Sequence, residues 1–234
     1  NANGGYLMAL GARAMAAASR PHPASVTAHF LAPGKVGPVS ISPTVIKVGR
    51  TFSTVRASVV GPEKPIVELL GSFGELDNVD GAVLVDAEPP QLPPPEDCVR
   101  VVPRERGFPP EMMARVDIRL HPDDAALLED QPSGQPLVRG WVKFPDDEPV
   151  DAFGLIMIAD SFPPTVFNAN LPMTWVPTVE MTTQVRGIPE PGWLRCKFST
   201  RFITGGVLEE DGEIWDNSGR LVALSRQLAL MPRG

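Results

Sequence analysis

Histidine and cysteine are scarce in this chain, with three and two residues among 234. His22, His29 and His121 are scattered, and Cys98 and Cys196 have neither metal-ligand spacing nor the density of a disulfide framework. No metal or redox cofactor is implied, and two isolated thiols suit a reducing cytoplasm. There is no Gly-x-Ser-x-Gly elbow, which argues against a serine nucleophile of the α/β-hydrolase kind. Phosphate loops and dinucleotide fingerprints are also missing. No apolar run approaches the roughly 18 residues of a membrane span. The stretch from Tyr6 to Ala18 resembles a signal-peptide core, but Arg13 interrupts it and no basic leader precedes it. A net charge of −7 and the lack of a Lys/Arg stripe argue against nucleic acid, while single arginines can still meet an anionic ligand.

The remaining composition is that of a globular chain: 43% of residues are hydrophobic, and the length suits one large or two small domains. Asn3 is a suitable N-cap for a helix-forming run rich in Ala, Leu and Met that reaches Ser19 without proline or a β-branched residue. Strand patterns follow at 25–31, 39–48, 52–60 and 65–73, with a hairpin turn at Gly49-Arg50. The segment Glu88–Asp97 is dense in proline and acid, and reads as an extended connector. Beyond it, strands are expected at 113–120 and 137–144, and a helix at 150–161 stopped by Pro163-Pro164. Further strands are expected at 178–186, 193–202 and 220–230, the last after a turn at Asp216–Gly219. Because the chain opens at Asn1 on a helix start, native residues including a strand are expected before it.

The two halves look alike. Ser25–Gly34 lies over Thr178–Gly187, each following a helix by a similar interval and each ending at glycine. A helix and a run of antiparallel strands, used twice, describes an α+β protein in which each helix is wrapped by a curled sheet. We therefore divide the chain into a first repeat at 1–87, a connector at 88–110 and a second repeat at 111–234.

Three polar residues of the second repeat stand out. Asp160 sits in the apolar run of the second helix, Thr178 opens an alternating strand, and Gln227 interrupts the last one. A carboxylate, a hydroxyl and an amide converging on one point can hold and activate water, which points to hydrolysis without a covalent intermediate. The first helix carries no acid from Asn3 to Ser19. It has Gly4 and Gly5 at its N-terminus, where free N–H groups and the helix dipole favour an oxyanion. Taken singly, each residue has a plainer reading. Asp160 can cap the Pro163-Pro164 turn or pair with an arginine. Thr178 can simply form strand, Gln227 can be a satisfied amide, and the glycines can allow close packing. Only their joint occurrence favours chemistry.

Six segments carry a resemblance to a known family: Asn3–Tyr6, His29–Gly34, Gly49–Thr54, Ala159–Ser161, Pro177–Glu180 and Ser218–Gln227. Together they resemble the acyl-CoA thioesterase II family, and within it the actinobacterial members, over nearly the whole chain apart from the connector. The resemblance implies a double hotdog fold and a catalytic aspartate, threonine and glutamine that bind the attacking water, matched here by Asp160, Thr178 and Gln227. It also implies an acyl-CoA substrate. Hotdog hydratases use an Asp and His pair in one segment, and the second helix has no histidine.

Other features receive structural readings. Trp141, Trp175, Trp193 and Trp215 suit the core or an oligomer interface, and the acidic run Glu209–Glu213 reads as a solvated loop. Arg186, Arg195 and Arg201 are candidates for CoA phosphates. Exposed edges of curled sheets lead us to expect a homo-oligomer. The rival to an enzyme is an inactive acyl-CoA or lipid-binding protein on the same scaffold.

Overall fold

A computed structural model describes residues 2–76, 82–104, 108–171 and 175–231; Asn1 lies outside them. The first helix, α1, spans Gly4–Ala17, and the expected cap is in place: Asn3 Oδ1 accepts the Tyr6 N–H at 2.8 Å. Leu7, Met8, Gly11, Ala12 and Met15 form its buried stripe, at the spacing that puts side chains on one helical face. Four strands follow, β1 (His22–Phe30), β2 (Ser40–Val48), β3 (Ser53–Val60) and β4 (Pro65–Gly74), and α1 packs against all of them.

The proline-rich segment runs without regular structure to a short turn at Pro95–Asp97. It is docked on the second half of the chain: the Pro93 carbonyl accepts the Trp141 indole N–H at 2.8 Å, and the Pro95 carbonyl accepts from Arg119 at 3.1 Å. Next come β5 (Val99–Arg100), β6 (Asp117–Leu120), the single turn α2 (Pro122–Ala125), β7 (Leu137–Lys143) and α3 (Ala152–Ile158). The chain then forms β8 (Thr178–Val185), β9 (Leu194–Ser199), β10 (Ile203–Thr204), β11 (Val207–Trp215) and β12 (Leu221–Leu230).

These strands make one antiparallel sheet in the order β2-β3-β4-β1-β8-β12-β11-β9-β7-β6-β5, with β10 beside β11. The order exposes the duplication. Outward from the centre the first half reads β1, β4, β3, β2, and the second reads β8, β12, β11, β9. The two segments aligned by sequence, β1 and β8, meet at the centre, with Val26 opposite Thr183 and His29 opposite Glu180. Both helices pack against β1 and against each other, so the halves share one core that includes Met8, Met15, Val26, Leu155, Ile156 and Met181. A glycine permits the helix contact: a Cβ on Gly5 would lie 2.6 Å from Asp160 Cβ and 3.0 Å from the Met157 carbonyl oxygen.

Several boundaries differ from expectation. The strand expected at 193–202 is shorter, ending with β9 at Ser199, and the one expected at 113–120 begins only at Asp117, after a helical turn at Glu111–Arg115. The largest correction is the acidic run Glu209–Glu213, which is the middle of strand β11 and not a solvated loop. Its inward positions read Leu208, Glu210, Gly212 and Ile214. Its outward acids meet cations on neighbouring segments: Arg226 donates to Asp211 at 2.6 and 2.7 Å, and Lys197 lies 3.4 Å from Glu213. Carboxylates on both faces hide the period-two pattern that marks a strand.

Candidate active site

Asp160 lies just beyond α3. The helix is capped by Asp151, whose Oδ1 accepts from Phe153 and Gly154 at 3.0 and 2.7 Å, and it ends at Ile158, short of the expected 161. A tighter turn continues through the Asp160 N–H to the Met157 carbonyl at 3.2 Å. This places Asp160 against the N-terminus of α1. Asp160 Oδ2 accepts the Gly5 N–H at 2.7 Å and Asn3 Nδ2 at 2.9 Å, and the Asp160 carbonyl accepts Asn3 Nδ2 at 3.1 Å. Neither a cap on the Pro163-Pro164 turn nor an arginine pair is seen for it among the described residues.

Burial pushes the Asp160 carboxyl up to about 6, and the bonds from Gly5 and Asn3 hold it from rising further. The residue as a whole is half-buried and keeps part of its surface accessible. Its Oδ1 takes no hydrogen bond from the described residues. The structure thus uses the Gly5 N–H on a protein carboxylate. Asn3 is a site residue that sequence reading gave only as a cap. The signal was the residue type: of the favoured caps, asparagine alone carries both an acceptor for the helix and an N–H₂ donor for a neighbour.

Thr178 and Gln227 meet directly. Thr178 opens β8, Gln227 lies on β12, and Thr178 Oγ1 donates to Gln227 Oε1 at 2.9 Å. The other end of the amide reaches a residue not foreseen: Gln227 Nε2 donates to Glu210 Oε1 at 2.8 Å, across the ladder register that sets these two residues opposite each other. Glu210 is buried, and its Oε2 accepts the Thr165 N–H at 2.7 Å and lies 2.7 Å from Thr165 Oγ1. Thr165 follows Asp160 by five residues, so Glu210 ties the Thr178–Gln227 pair to the segment carrying Asp160. No hydrogen bond joins Asp160 to Thr178 or Gln227 among the described residues. The Asp160 charge nevertheless reaches Glu210, where it adds to burial in raising the carboxyl.

A groove of about 430 Å³ runs between α1 and α3, lined by Tyr6, Leu10, Arg13, Phe144, Phe153 and Met157 among others. Tyr6 and Met157 adjoin Gly5 and Asp160. The three candidate arginines do not converge: Arg186 donates to Gln184, Arg195 stacks on Trp141 at 5.1 Å, and Arg201 lies 3.4 Å from Asp211. Cys98 and Cys196 are buried and unpaired, and His29 is exposed. Trp141 and Trp215 are buried, whereas Trp175 is exposed. No cluster of three metal-binding side chains occurs among the described residues, and no described helix is long and apolar enough to cross a membrane.

The profile of the acyl-CoA thioesterase N-terminal domain matches residues 1–74, and that of the acyl-CoA thioesterase C-terminal domain matches residues 95–231. Among solved structures, a protein of Thermobifida fusca provisionally termed thioesterase II is 35% identical, with a TM-score of 0.87 over 99% of this chain and 86% of that one. A protein of unknown function with a hot dog fold from Alicyclobacillus acidocaldarius is 23% identical, with a TM-score of 0.84 over 99% of this chain and 88% of that one. The acyl-CoA thioesterase II TesB2 of Mycobacterium marinum is 19% identical, with a TM-score of 0.75 over 99% of this chain and 89% of that one. An uncharacterized Mycobacterium tuberculosis protein is 28% identical over 98% of this chain and 86% of its own length. The fold is a double hotdog.

Proposed function

The chain belongs to the acyl-CoA thioesterase family, and we propose that it hydrolyses a fatty acyl-CoA to free acid and CoA by direct attack of water. The observation that carries this reading is the state of Asp160. Two donors fix one carboxyl oxygen, the other is left for a water molecule, and the group titrates about where a general base is needed. In this reading Asp160 accepts a proton as the water oxygen bonds to the thioester carbon. The C–S bond then breaks, and the proton passes to the departing CoA sulfur. Thr178 and Gln227 hold the same water against the carbon. With the Gly5 N–H engaged by Asp160, the developing oxyanion is assigned to Gly4 at the same positive helix end. We place the protein in the cytoplasm, free of nucleic acid and membrane and with no metal or redox cofactor. We also place it in a homo-oligomer, whose contacts would cover the exposed Val45, Ile46 and Val48 on β2 at the end of the sheet.

The test is thiol release from acyl-CoAs of graded chain length. Wild type is expected to hydrolyse at least part of the series. A folded protein that binds these thioesters and releases no thiol from any of them would establish the lipid-binding alternative instead. The same assay yields a pH dependence. A base works only when deprotonated, so kcat/KM is expected to fall below about pH 6 with the slope of a single proton and to level off above it. A profile flat from pH 5 to 8 would remove Asp160 from the role of base.

A further inference from the structure

Glu210 is a buried carboxyl that the mechanism above does not use, and its hydrogen-bond partners form a series. Three contacts run in series: Glu210 Oε2 to Thr165 Oγ1 at 2.7 Å, Thr165 Oγ1 to Thr200 Oγ1 at 2.8 Å, and Thr200 Oγ1 to the Glu209 carbonyl at 2.7 Å. Each needs one proton, and the two hydroxyls supply two. A carbonyl only accepts, so Thr200 donates to Glu209. If Glu210 were ionised, Thr165 would donate to it, and the two threonine oxygens would face each other at 2.8 Å with no proton between them. A proton on Glu210 Oε2 completes the series: Glu210 donates to Thr165, Thr165 to Thr200, and Thr200 to the backbone. Glu210, Thr165 and Thr200 are buried, where a polar contact without its hydrogen is costly.

We propose that Glu210 is a neutral carboxylic acid that acts as a positioning residue for Gln227, fixing which end of the amide faces Thr178. With the proton held on Oε2 by the threonine relay, Oε1 is an acceptor only. It requires the Nε2 end of Gln227 and so turns Oε1 of that amide toward Thr178. The Thr178 hydroxyl then gives its hydrogen to Gln227 and keeps its lone pairs for the attacking water. A neutral Glu210 also avoids a second negative charge near Asp160, and burial together with the Asp160 charge pushes the Glu210 carboxyl in the direction of neutrality. The nearest groups described around it are the hydroxyls of Thr165 and Thr200, the Gln227 amide and the Asp160 carboxyl, with no cation among them.

This inference rests on the hydrolytic reading for its consequence but not for its chemistry, and the test separates the two. Infrared difference spectra of carboxyl-labelled wild type against Glu210→Gln, at pH 7, are expected to show a protonated carboxyl band that the substitution removes. An ionised Glu210 at pH 7 would overturn the proposal, whether or not the protein hydrolyses anything. The kinetic arm uses Glu210→Ala, Gln227→Ala and the double variant. Each single change is expected to lower kcat by ~10- to 100-fold with KM little altered, and the double variant should be no slower than Gln227→Ala alone. Multiplying losses would assign Glu210 a role independent of Gln227 and would also overturn the proposal. If wild type releases no thiol, the hydrolytic reading fails while the spectrum still decides the state of Glu210.

Discussion

Asp160→Asn is expected to lose about 100-fold or more in kcat and to be more stable than wild type at pH 8. Asparagine keeps an acceptor for the Gly5 N–H and Asn3 Nδ2, so the contact between α1 and α3 should survive and substrate binding with it. What it lacks is any capacity to take a proton from water. The loss should therefore fall on kcat, with KM little changed. The stability gain follows from linkage. The carboxyl titrates at about 6 in the folded chain against a reference of 3.8, so the folded state binds this proton more tightly than the unfolded one. Its favourable contribution is present below 3.8 and is lost as pH rises through 6. Above that, the buried carboxylate costs on the order of 3 kcal/mol. Asparagine carries no such cost, and we expect a gain of about 1–3 kcal/mol at pH 8 that vanishes near pH 4. Denaturant unfolding at the two pH values, alongside thiol release, checks both halves. A variant that is inactive and also destabilised at pH 8 would mean that Asp160 holds the helices together and performs no chemistry.

The sequence shows some of this site clearly and hides the rest for identifiable reasons. Asn3 and the Ala/Leu/Met run declare α1 because capping and propensity are local. The match between Ser25–Gly34 and Thr178–Gly187 declares the repeat, and those segments prove to be the central strand pair. Thr178 is legible as the opening residue of an alternating strand and Gln227 as a polar interruption of the last one, and they bond to each other. Glu210 was not legible, because it sits among Glu209, Asp211 and Glu213, and sequence does not reveal which of four neighbouring acids faces inward. Register decides it: Glu210 opposes Gln227 on β12, while Asp211 opposes and pairs with Arg226 on the outer face. The engagement of Gly5 with Asp160 was equally hidden. It joins residues 155 positions apart, and it depends on a helix contact that only glycine allows.

Gly5→Ala is the substitution expected to damage activity and stability together. An added Cβ would stand 2.6 Å from Asp160 Cβ and 3.0 Å from the Met157 carbonyl oxygen, and one of these is backbone, so α1 and α3 must separate. Overpacking of this kind costs roughly 1–3 kcal/mol. Separation also lengthens the 2.7 Å bond from the Gly5 N–H to Asp160 Oδ2. That bond favours the charged carboxylate, so its weakening should move the acid limb of the rate profile above 6, and displacement of the base should lower turnover by about 100-fold. Gly4→Ala should do less. Its Cβ would meet the Phe30 ring at 2.9 Å and Asp160 Oδ2 at 3.1 Å, and a ring edge can yield where a backbone carbonyl cannot. Gly61→Ala, whose Cβ would have no neighbour nearer than 3.7 Å, serves as the control and should leave activity and stability near wild type. Turnover, pH profile and unfolding midpoint measured on all three should rank them Gly5, Gly4, Gly61 in severity. Should Gly5→Ala instead retain wild-type turnover with an unshifted profile, the α1 N-terminus would have no part in setting Asp160 for catalysis.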